Sequence, residues 1–354
     1  MTRQAPSPFS PTFSAERLKL LSSDILQAKG MNQEEANSVA DALIWANLRG
    51  MDTHGVSRIP MYMRIIDKGE MNPKASLELI HDTLAVKVIE ANRSAGPLAM
   101  GWASDLAMDM AKKAGIGMVM VRNTTHTAAL GIYSEKIAKA GMSCLAMAAS
   151  RPNMAYFGAK AAGISTAPLS LAVPGPKNQP IMLDMASSVV SMGKLLQYKA
   201  KQQALEPGWA LDEEGNETTD SQAASIPLPL GGPKGSGLSL MFELMTSVPL
   251  MNPLIGHFFS GEVEAQRHCQ NAMLIAIDIY QFCSPAQFQQ EVAQCVRTLK
   301  ALPIDDKVGE ILMPGERGYR ERELRVLSGI SIAPSLLKTL NELALLLNVT
   351  PLGG

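Results

Sequence analysis

The sequence predicts an α/β chain of two domains, on three observations. At 354 residues it exceeds the roughly 250–300 residues at which single hydrophobic cores stop growing. Apolar residues recur at helical spacing as far as Ile66, and from about Leu77 they give way to short β-forming runs that alternate with helical segments. No G-x-G-x-x-G lies between a strand and a helix: Gly115-Ile116-Gly117 precedes a strand and lacks the third glycine, so the α/β part is not a standard Rossmann domain.

Met1 to Pro8 has no apolar stretch of the length a secretory signal needs and reads as a loose tail. Ser14 to Lys29 sets Leu18, Leu20, Leu21, Ile25 and Leu26 at helical spacing, and Gly30 stops the helix. Asn32 with Glu35 is a capping-box pattern opening a second helix, with Ala36, Val39, Ala40, Leu43 and Ile44 on its buried side and Gly50 at its end. Tyr62 to Ile66 continues helically, and Lys68-Gly69-Glu70 with Asn72-Pro73 marks a boundary. Strands follow at Leu77–Ile80 and Ala85–Glu90, then a turn at Asn92–Gly96 and a helix over Pro97–Ala114. Met118–Val121 is a strand, Asn123–His126 a polar loop, Ala128–Ala140 a helix and Ser143–Ala149 a strand. Two more strands run over Gly163–Pro174 and Pro180–Leu183, the second delivering Asp184 to Ser188 at its end. Lys201–Ala224 is polar and reads as a surface excursion, and a glycine-rich loop, Gly231 to Gly237, precedes an apolar helix from Leu238. Ala272–Ile279 is a strand, Pro285–Leu302 a helix with Phe288, Val292, Val296 and Leu299 inward, and Ala333–Leu347 the C-terminal helix.

Chemistry concentrates in Asp52-Thr53-His54-Gly55-Val56-Ser57-Arg58. In a helix or tight turn His54 and Arg58, four apart, share a face. A guanidinium fork matches a carboxylate, and an imidazole exchanges a proton near neutral pH, which together suit reduction of a carbonyl beside an acid group. The alternative is structural: Arg58 pairs with a surface acid such as Asp52, and His54 satisfies a backbone carbonyl at a helix end. A second candidate is His126, expected at or just before a helix N-terminus, where unpaired N–H groups favour a phosphate and the dipole keeps imidazole neutral. A helix cap without a ligand is the alternative there. Lys234 in the glycine-rich loop could also meet a phosphate, although G-x-x-x-x-G-K-[ST] is absent and nucleotide hydrolysis is unsupported. The charged turn Pro314–Arg320 is either a linker into the C-terminal helix or a further cofactor contact.

Other classes are disfavoured. With 32 basic against 33 acidic residues and a formal net charge of -1, no field draws nucleic acid or anionic lipid. Cys144, Cys269, Cys283 and Cys295 form no C-x-x-C pair, which points to a reducing compartment, the cytoplasm. The apolar region Leu238–Phe259 is broken by Glu243, Pro249, Pro253 and His257, against a membrane span. The five histidines show no metal-ligand spacing, and G-x-S-x-G is missing, so no metal or serine chemistry is expected.

With these residues in place, the chain resembles the malate/L-lactate dehydrogenase family of the second type, which includes sulfolactate, ureidoglycolate and diketogulonate dehydrogenases and piperideine- and pyrroline-carboxylate reductases. The resemblance runs through Asp52–Arg58, Asn123–Gly131, Leu183–Ala186, Gly208–Asp212, Gly231–Gly235 and Pro314–Arg317, nearly the whole chain in order. It implies a homodimeric oxidoreductase using NAD or NADP, with a non-Rossmann cofactor domain built on a mixed sheet (77–304) and a helical dimerisation domain from both chain ends (1–76 and 305–354), the substrate between them. It also implies that His54 is the acid, supported by Thr53, and that Arg58 and Thr166 hold the substrate carboxylate. His126 would sit beside the nicotinamide or take the acid/base role itself. Dinucleotide contacts would come from His126, Thr127, Ala128, Ala129 and Leu130, from Ser150, from Asp184, Met185 and Ala186, from Lys234 and Gly235, and from Pro314, Gly315 and Glu316.

Three segments depart from the family pattern. Thr124-Thr125-His126-Thr127-Ala128 replaces serine-x-histidine with an aromatic and glycine after it, and Ser165-Thr166-Ala167-Pro168 replaces Gly-Thr-Asn-Pro. Met192-Gly193-Lys194 carries a lysine where some cyclic-imine reductases carry an acid, which weakens a ketimine substrate relative to a 2-oxo acid. A ketimine reductase acting on a cyclic 2-imino acid and a non-catalytic, cofactor-binding descendant are the competing readings; turnover separates them.

Overall fold

The computed structural model describes residues 10–262, 267–305 and 307–353, so the expected tail Met1–Pro8 lies outside the described residues. The chain packs as two units, one of residues up to Ala75 with those from Gly315 onward, the other Ser76–Pro314.

The first unit begins with β1 (Thr12–Phe13) and α1 (Ala15–Ala28), whose cap Ser14 accepts from the Arg17 N–H at 3.1 Å. Leu18, Leu21, Ile25 and Leu26 are its buried stripe. α2 (Gln33–Leu48) opens with a complete Asn32/Glu35 capping box and stops before Gly50, whose φ of 75° no longer fits a helix. Two tight turns lead into α3 (Ile59–Asp67), which carries Pro60 in its first turn, where the missing N–H costs nothing.

The second unit comprises β2 (Glu78–Asp82), β3 (Val86–Glu90), α4 (Gly96–Ala114), β4 (Ile116–Thr124), α5 (Gly131–Lys139), β5 (Met142–Ser150), β6 (Met154–Ala155), β7 (Ala162–Ile164), β8 (Pro168–Val173), β9 (Ile181–Ala186), α6 (Met192–Ala200), β10 (Ala210–Leu211), β11 (Glu217–Thr218), β12 (Ile226–Pro227), α7 (Pro233–Thr246), α8 (Leu254–Phe258), β13 (Gln270–Asp278) and α9 (Pro285–Lys300). Seven strands form one mixed sheet in the order β2-β3-β4-β13-β5-β8-β9, in which only β3 and β4 run parallel. Apolar side chains point from both faces. Ile89, Val119, Val121, Ala146 and Leu274 pack with Met100, Leu130 and Ile137 on one side; Met120, Met147 and Met273 pack with Phe242 on the other. That double burial explains why β4 and β5 read as continuous apolar runs rather than alternating ones. The chain then returns to the first unit with α10 (Glu316–Ser328), β14 (Ile330–Ser331), which pairs with β1, and α11 (Pro334–Leu346).

Several elements differ from expectation. The helix expected from Ala128 starts at Gly131, because Ala128 adopts a φ of 58°, outside helical space. The run Gly163–Pro174 is two strands, interrupted at residues 165–167, and Asp184 to Ala186 lie within β9 rather than beyond it. Residues 201–224 are not merely a solvated excursion: Leu205, Trp209 and Ala210 form a small core with Leu195 of α6, a helix that Gly193 and its short apolar stripe hide from sequence reading. α7 absorbs part of the glycine-rich loop, starting at Pro233. α9 buries no residue fully, and Leu299 of its inward stripe is 46% exposed.

Candidate active site

The end of α2 shapes the Asp52–Arg58 segment. Asn47, almost fully buried, donates from Nδ2 to Asp52 Oδ1 at 2.7 Å and accepts the Val56 N–H on Oδ1 at 2.8 Å, so the chain wraps round one amide. A Cβ on Gly55 would fall 2.1 Å from Asn47 Oδ1, which leaves glycine as the residue that fits. Residues Asp52–His54 and Val56–Arg58 each form a single 3₁₀ turn. Asp52 is engaged by Arg325 of α10, Nη1 to Oδ1 at 2.6 Å and Nη2 to Oδ2 at 3.1 Å, while the same Nη1 donates to the Asn47 carbonyl at 2.7 Å. Burial opposes the Arg325 charge, but its bonds to Asp52 and Glu321 prevail and raise its pKa. The structural alternative for Arg58, a pair with Asp52, is therefore corrected: Asp52 is taken.

Thr53 joins the two functional candidates. Its Oγ1 lies 3.0 Å from His54 Nδ1, and its carbonyl accepts from Arg58 Nε at 2.5 Å. The imidazole is oriented and the guanidinium anchored by one residue. Burial, reinforced by the Arg58 charge, lowers the His54 pKa to about 4, so the ring is neutral at physiological pH. Arg58 is pushed down by burial, and among the described residues its guanidinium has no carboxylate partner. A half-buried cation without a counter-charge is costly to keep unless an anionic ligand repays it.

In the second unit the register gathers most of the other candidates at one end of the sheet. β4 ends at Thr124 and β5 at Ser150, both opposite Gln270 at the start of β13. β8 starts at Pro168 opposite Ala186, the last residue of β9. Thr166 donates its N–H to Asn153 Oδ1 at 2.8 Å, and Ser165 Oγ accepts the Ser150 N–H at 3.4 Å, which sets Thr166 beside the Ser150 strand end. Gly131 N–H donates to Asp184 Oδ2 at 2.9 Å, tying the 126–130 loop to β9.

This geometry corrects the phosphate argument for His126. The residue lies five positions before α5, and the first N–H of that helix is occupied by a carboxylate. At α7 the N–H groups of Lys234 and Gly235 turn back to Gly231 and Leu230 carbonyls, 3.4 and 2.8 Å away. The first turn is packed so closely that a Gly235 Cβ would lie 2.4 Å from Ser187 O. The exposed Lys234 ammonium, with no carboxylate partner among the described residues, is the group there that fits a dinucleotide phosphate. Of the cations near these loops, Arg122 is committed to Glu90 and the Leu250 carbonyl.

The Pro314-Gly315-Glu316 turn is held at both ends. Pro314 O accepts from Met182 N–H on β9 at 3.1 Å, and Gly315 O accepts from Arg49 Nη2 at 3.1 Å. Arg49 is itself clasped between Trp45 and Tyr319, 5.0 and 4.2 Å from the ring centroids. Asn47, Arg49, Gln270 and Arg325 all shape candidate loops, and sequence reading found none of them. The partner of Arg325 is 273 positions away, and no local pattern encodes that distance.

A family model described as malate/L-lactate dehydrogenase matches residues 13–341. A malate dehydrogenase of Pyrococcus horikoshii is 33% identical over 330 residues, covering 90% of this chain and 91% of its own. A Delta(1)-pyrroline-2-carboxylate/Delta(1)-piperideine-2-carboxylate reductase of Pseudomonas putida is 31% identical, covering 92% and 95%. The crystal structure of malate dehydrogenase from Entamoeba histolytica superposes with a TM-score of 0.92 at 27% identity, over 97% of this chain and all (100%) of that one. With Arg58 beside a neutral His54 and a mixed, non-Rossmann sheet, these likenesses lead to one conclusion: the chain belongs to the malate/L-lactate dehydrogenase family and is an NAD(P)-dependent oxidoreductase.

Proposed function

We propose that the protein transfers a hydride between a nicotinamide cofactor and the 2-carbon of a small 2-oxo or 2-hydroxy acid. The observation that carries this reading is Arg58, a half-buried cation with no acid partner among the described residues, anchored through Thr53 to a neutral histidine. Arg58, with Thr166 in support, binds the substrate carboxylate. A nicotinamide held by the second unit's loops would accept or supply the hydride. In the oxidation direction neutral His54 takes the hydroxyl proton as the C2–H bond breaks, and Thr53 holds the ring in line. In reduction His54 returns that proton to the carbonyl oxygen. A carboxylate seated on Arg58 cancels the charge that helps depress the His54 pKa, so substrate binding itself raises the proton affinity of the acid.

Cofactor contacts are assigned to His126, Thr127, Ala128, Ala129, Leu130, Ser150, Asp184, Met185, Ala186, Lys234, Gly235, Pro314, Gly315 and Glu316, with His126 beside the nicotinamide. The convergence of Ser150, Ala186 and the 126–130 loop at one sheet end supports this. The Pseudomonas relative, named for cyclic imino acids, makes a ketimine the second substrate class to test.

A homodimer is supported by α7, where Leu238, Met241, Leu244 and Met245 recur at helical spacing yet are 39%, 50%, 46% and 41% exposed. Light scattering of the wild type should give the mass of two chains, and Met241→Glu with Met245→Glu should shift it to one; a monomeric wild type would refute this. Four free cysteines fit a cytoplasmic location, and no helix among the described residues is long and apolar enough to cross a membrane. For the reaction itself, purified protein is assayed for NADH and NADPH oxidation against 2-oxo acids and cyclic 2-imino acids, where loss of turnover in His54→Ala with cofactor binding retained supports the assigned roles.

A further inference from the structure

Residues 125–130, which carry His126, form neither helix nor strand, yet Thr125 and Leu130 are 0% exposed and Thr127 is 2% exposed. One of them is held against its preference: Ala128, with a φ of 58°, sits in the left-handed region that glycine enters freely and a residue with a Cβ does not. Such a conformation persists only where the surroundings fix it. Thr125 donates from both N–H and hydroxyl to Ser94 O, at 3.2 and 2.8 Å. The Tyr133 hydroxyl donates to Thr127 O at 2.8 Å. Most distant in sequence, Gln270 accepts both the N–H and the hydroxyl of Thr127 on its single Oε1, each at 3.2 Å. Gln270 opens β13, with Thr124 opposite on one side and Ser150 on the other. Its backbone is thus fixed to the strand that feeds the loop and to the strand that ends at another assigned cofactor contact.

We propose that Gln270 is a positioning residue for the cofactor site. Its amide oxygen takes both donors of Thr127, holds Ala128 left-handed and thereby sets the place of His126 against the Ser150 strand end. The inference rests on the reading of 126–130 and Ser150 as dinucleotide contacts. It also explains how the chain keeps this loop ordered with threonine and alanine where its family pattern has an aromatic residue and glycine. An amide oxygen has two lone pairs and suits two donors. Leucine at the same place would leave both buried donors unpaired, Ala128 would relax to negative φ, and His126 would move with it.

The test uses Gln270→Leu, which removes the acceptor, and Gln270→Glu, which keeps one. Dinucleotide affinity is read by NADH and NADPH fluorescence, and the loop by hydrogen exchange at the Thr127 amide. Gln270→Leu should weaken affinity and speed Thr127 exchange by about tenfold each, the equivalent of one lost net hydrogen bond, while kcat at saturating cofactor falls less. Gln270→Glu should restore both towards wild type, which a role in bulk packing alone would not produce. Should Gln270→Leu fail to fold, Thr127→Val, which removes one donor, should show the same pair of changes at smaller size. Wild-type affinity and exchange in Gln270→Leu, or in Thr127→Val where that variant stands in, would overturn the proposal. Should the wild type bind neither dinucleotide, the cofactor reading fails, and Thr127 exchange still decides whether Gln270 holds the loop, unchanged exchange refuting it.

Discussion

At the scale of single residues, the roles proposed for His54 and Arg58 are distinct, and their variants should separate cleanly. His54→Ala is expected to reduce kcat by at least about a hundredfold, the usual contribution of a positioned acid/base, with cofactor affinity unchanged. Arg58→Ala should act mainly on KM for the acid; equal loss of cofactor binding in both variants would contradict the roles. The low His54 pKa gives a signed prediction for stability. The folded value of about 4 lies below the ordinary 6.5, so between those limits the unfolded chain holds more protons, and stability falls as pH drops from about 6.5 towards 4. The slope is at most about 1.4 kcal/mol per pH unit for one proton, and His54→Gln should flatten it in urea melts run across that range. The candidate pair was visible in the sequence because a histidine and an arginine four apart stand in one line of text. Their orientation was not, since it depends on the Thr53 hydroxyl and carbonyl and on an Asn47 whose role appears only when the loop folds back on it.

At the scale of elements, two loops owe their shape to partners remote in sequence. Arg325 on α10 grips Asp52 and Asn47, so Arg325→Ala should loosen the 52–58 loop. Removing one partner of a hydrogen-bonded charge pair costs about 3–5 kcal/mol when buried and less here, where Asp52 is 39% exposed. Activity should fall before the global melt is reached, as a calorimetric midpoint set beside a kinetic inactivation curve would show. Ala128→Gly relieves a left-handed alanine and should raise stability by up to about 1 kcal/mol, readable as a higher urea midpoint. The capped helices, α1 and α2, were legible because each cap acts within three residues, Ser14 on the Arg17 N–H and Asn32 with Glu35. The start of α5 was not: periodicity extends back to Ala128, but the hydrogen bonds of Thr125 and Thr127 to Ser94 and Gln270 hold the chain out of helix. α9 shows the converse, a clear apolar stripe that stays half-exposed.

At the scale of the whole molecule, the pattern change near Leu77 and the missing glycine fingerprint announced a non-Rossmann α/β unit, and the mixed seven-stranded sheet is that unit. Strand order could not be read from the text, because β13 inserts between β4 and β5 from 146 residues downstream of Thr124. Family membership rests on likenesses spanning 90% or more of the chain, whereas the identity of the acid depends on pocket walls that differ by only a few kcal/mol between substrates. The most direct test is therefore oxidation of NADH and NADPH, followed by absorbance, across 2-oxo acids and cyclic 2-imino acids, with His54→Ala beside the wild type. The expected result is turnover of at least one 2-oxo acid that disappears in the variant while the variant still binds cofactor. Cofactor binding without turnover of any acid, or turnover that survives His54→Ala, would contradict it.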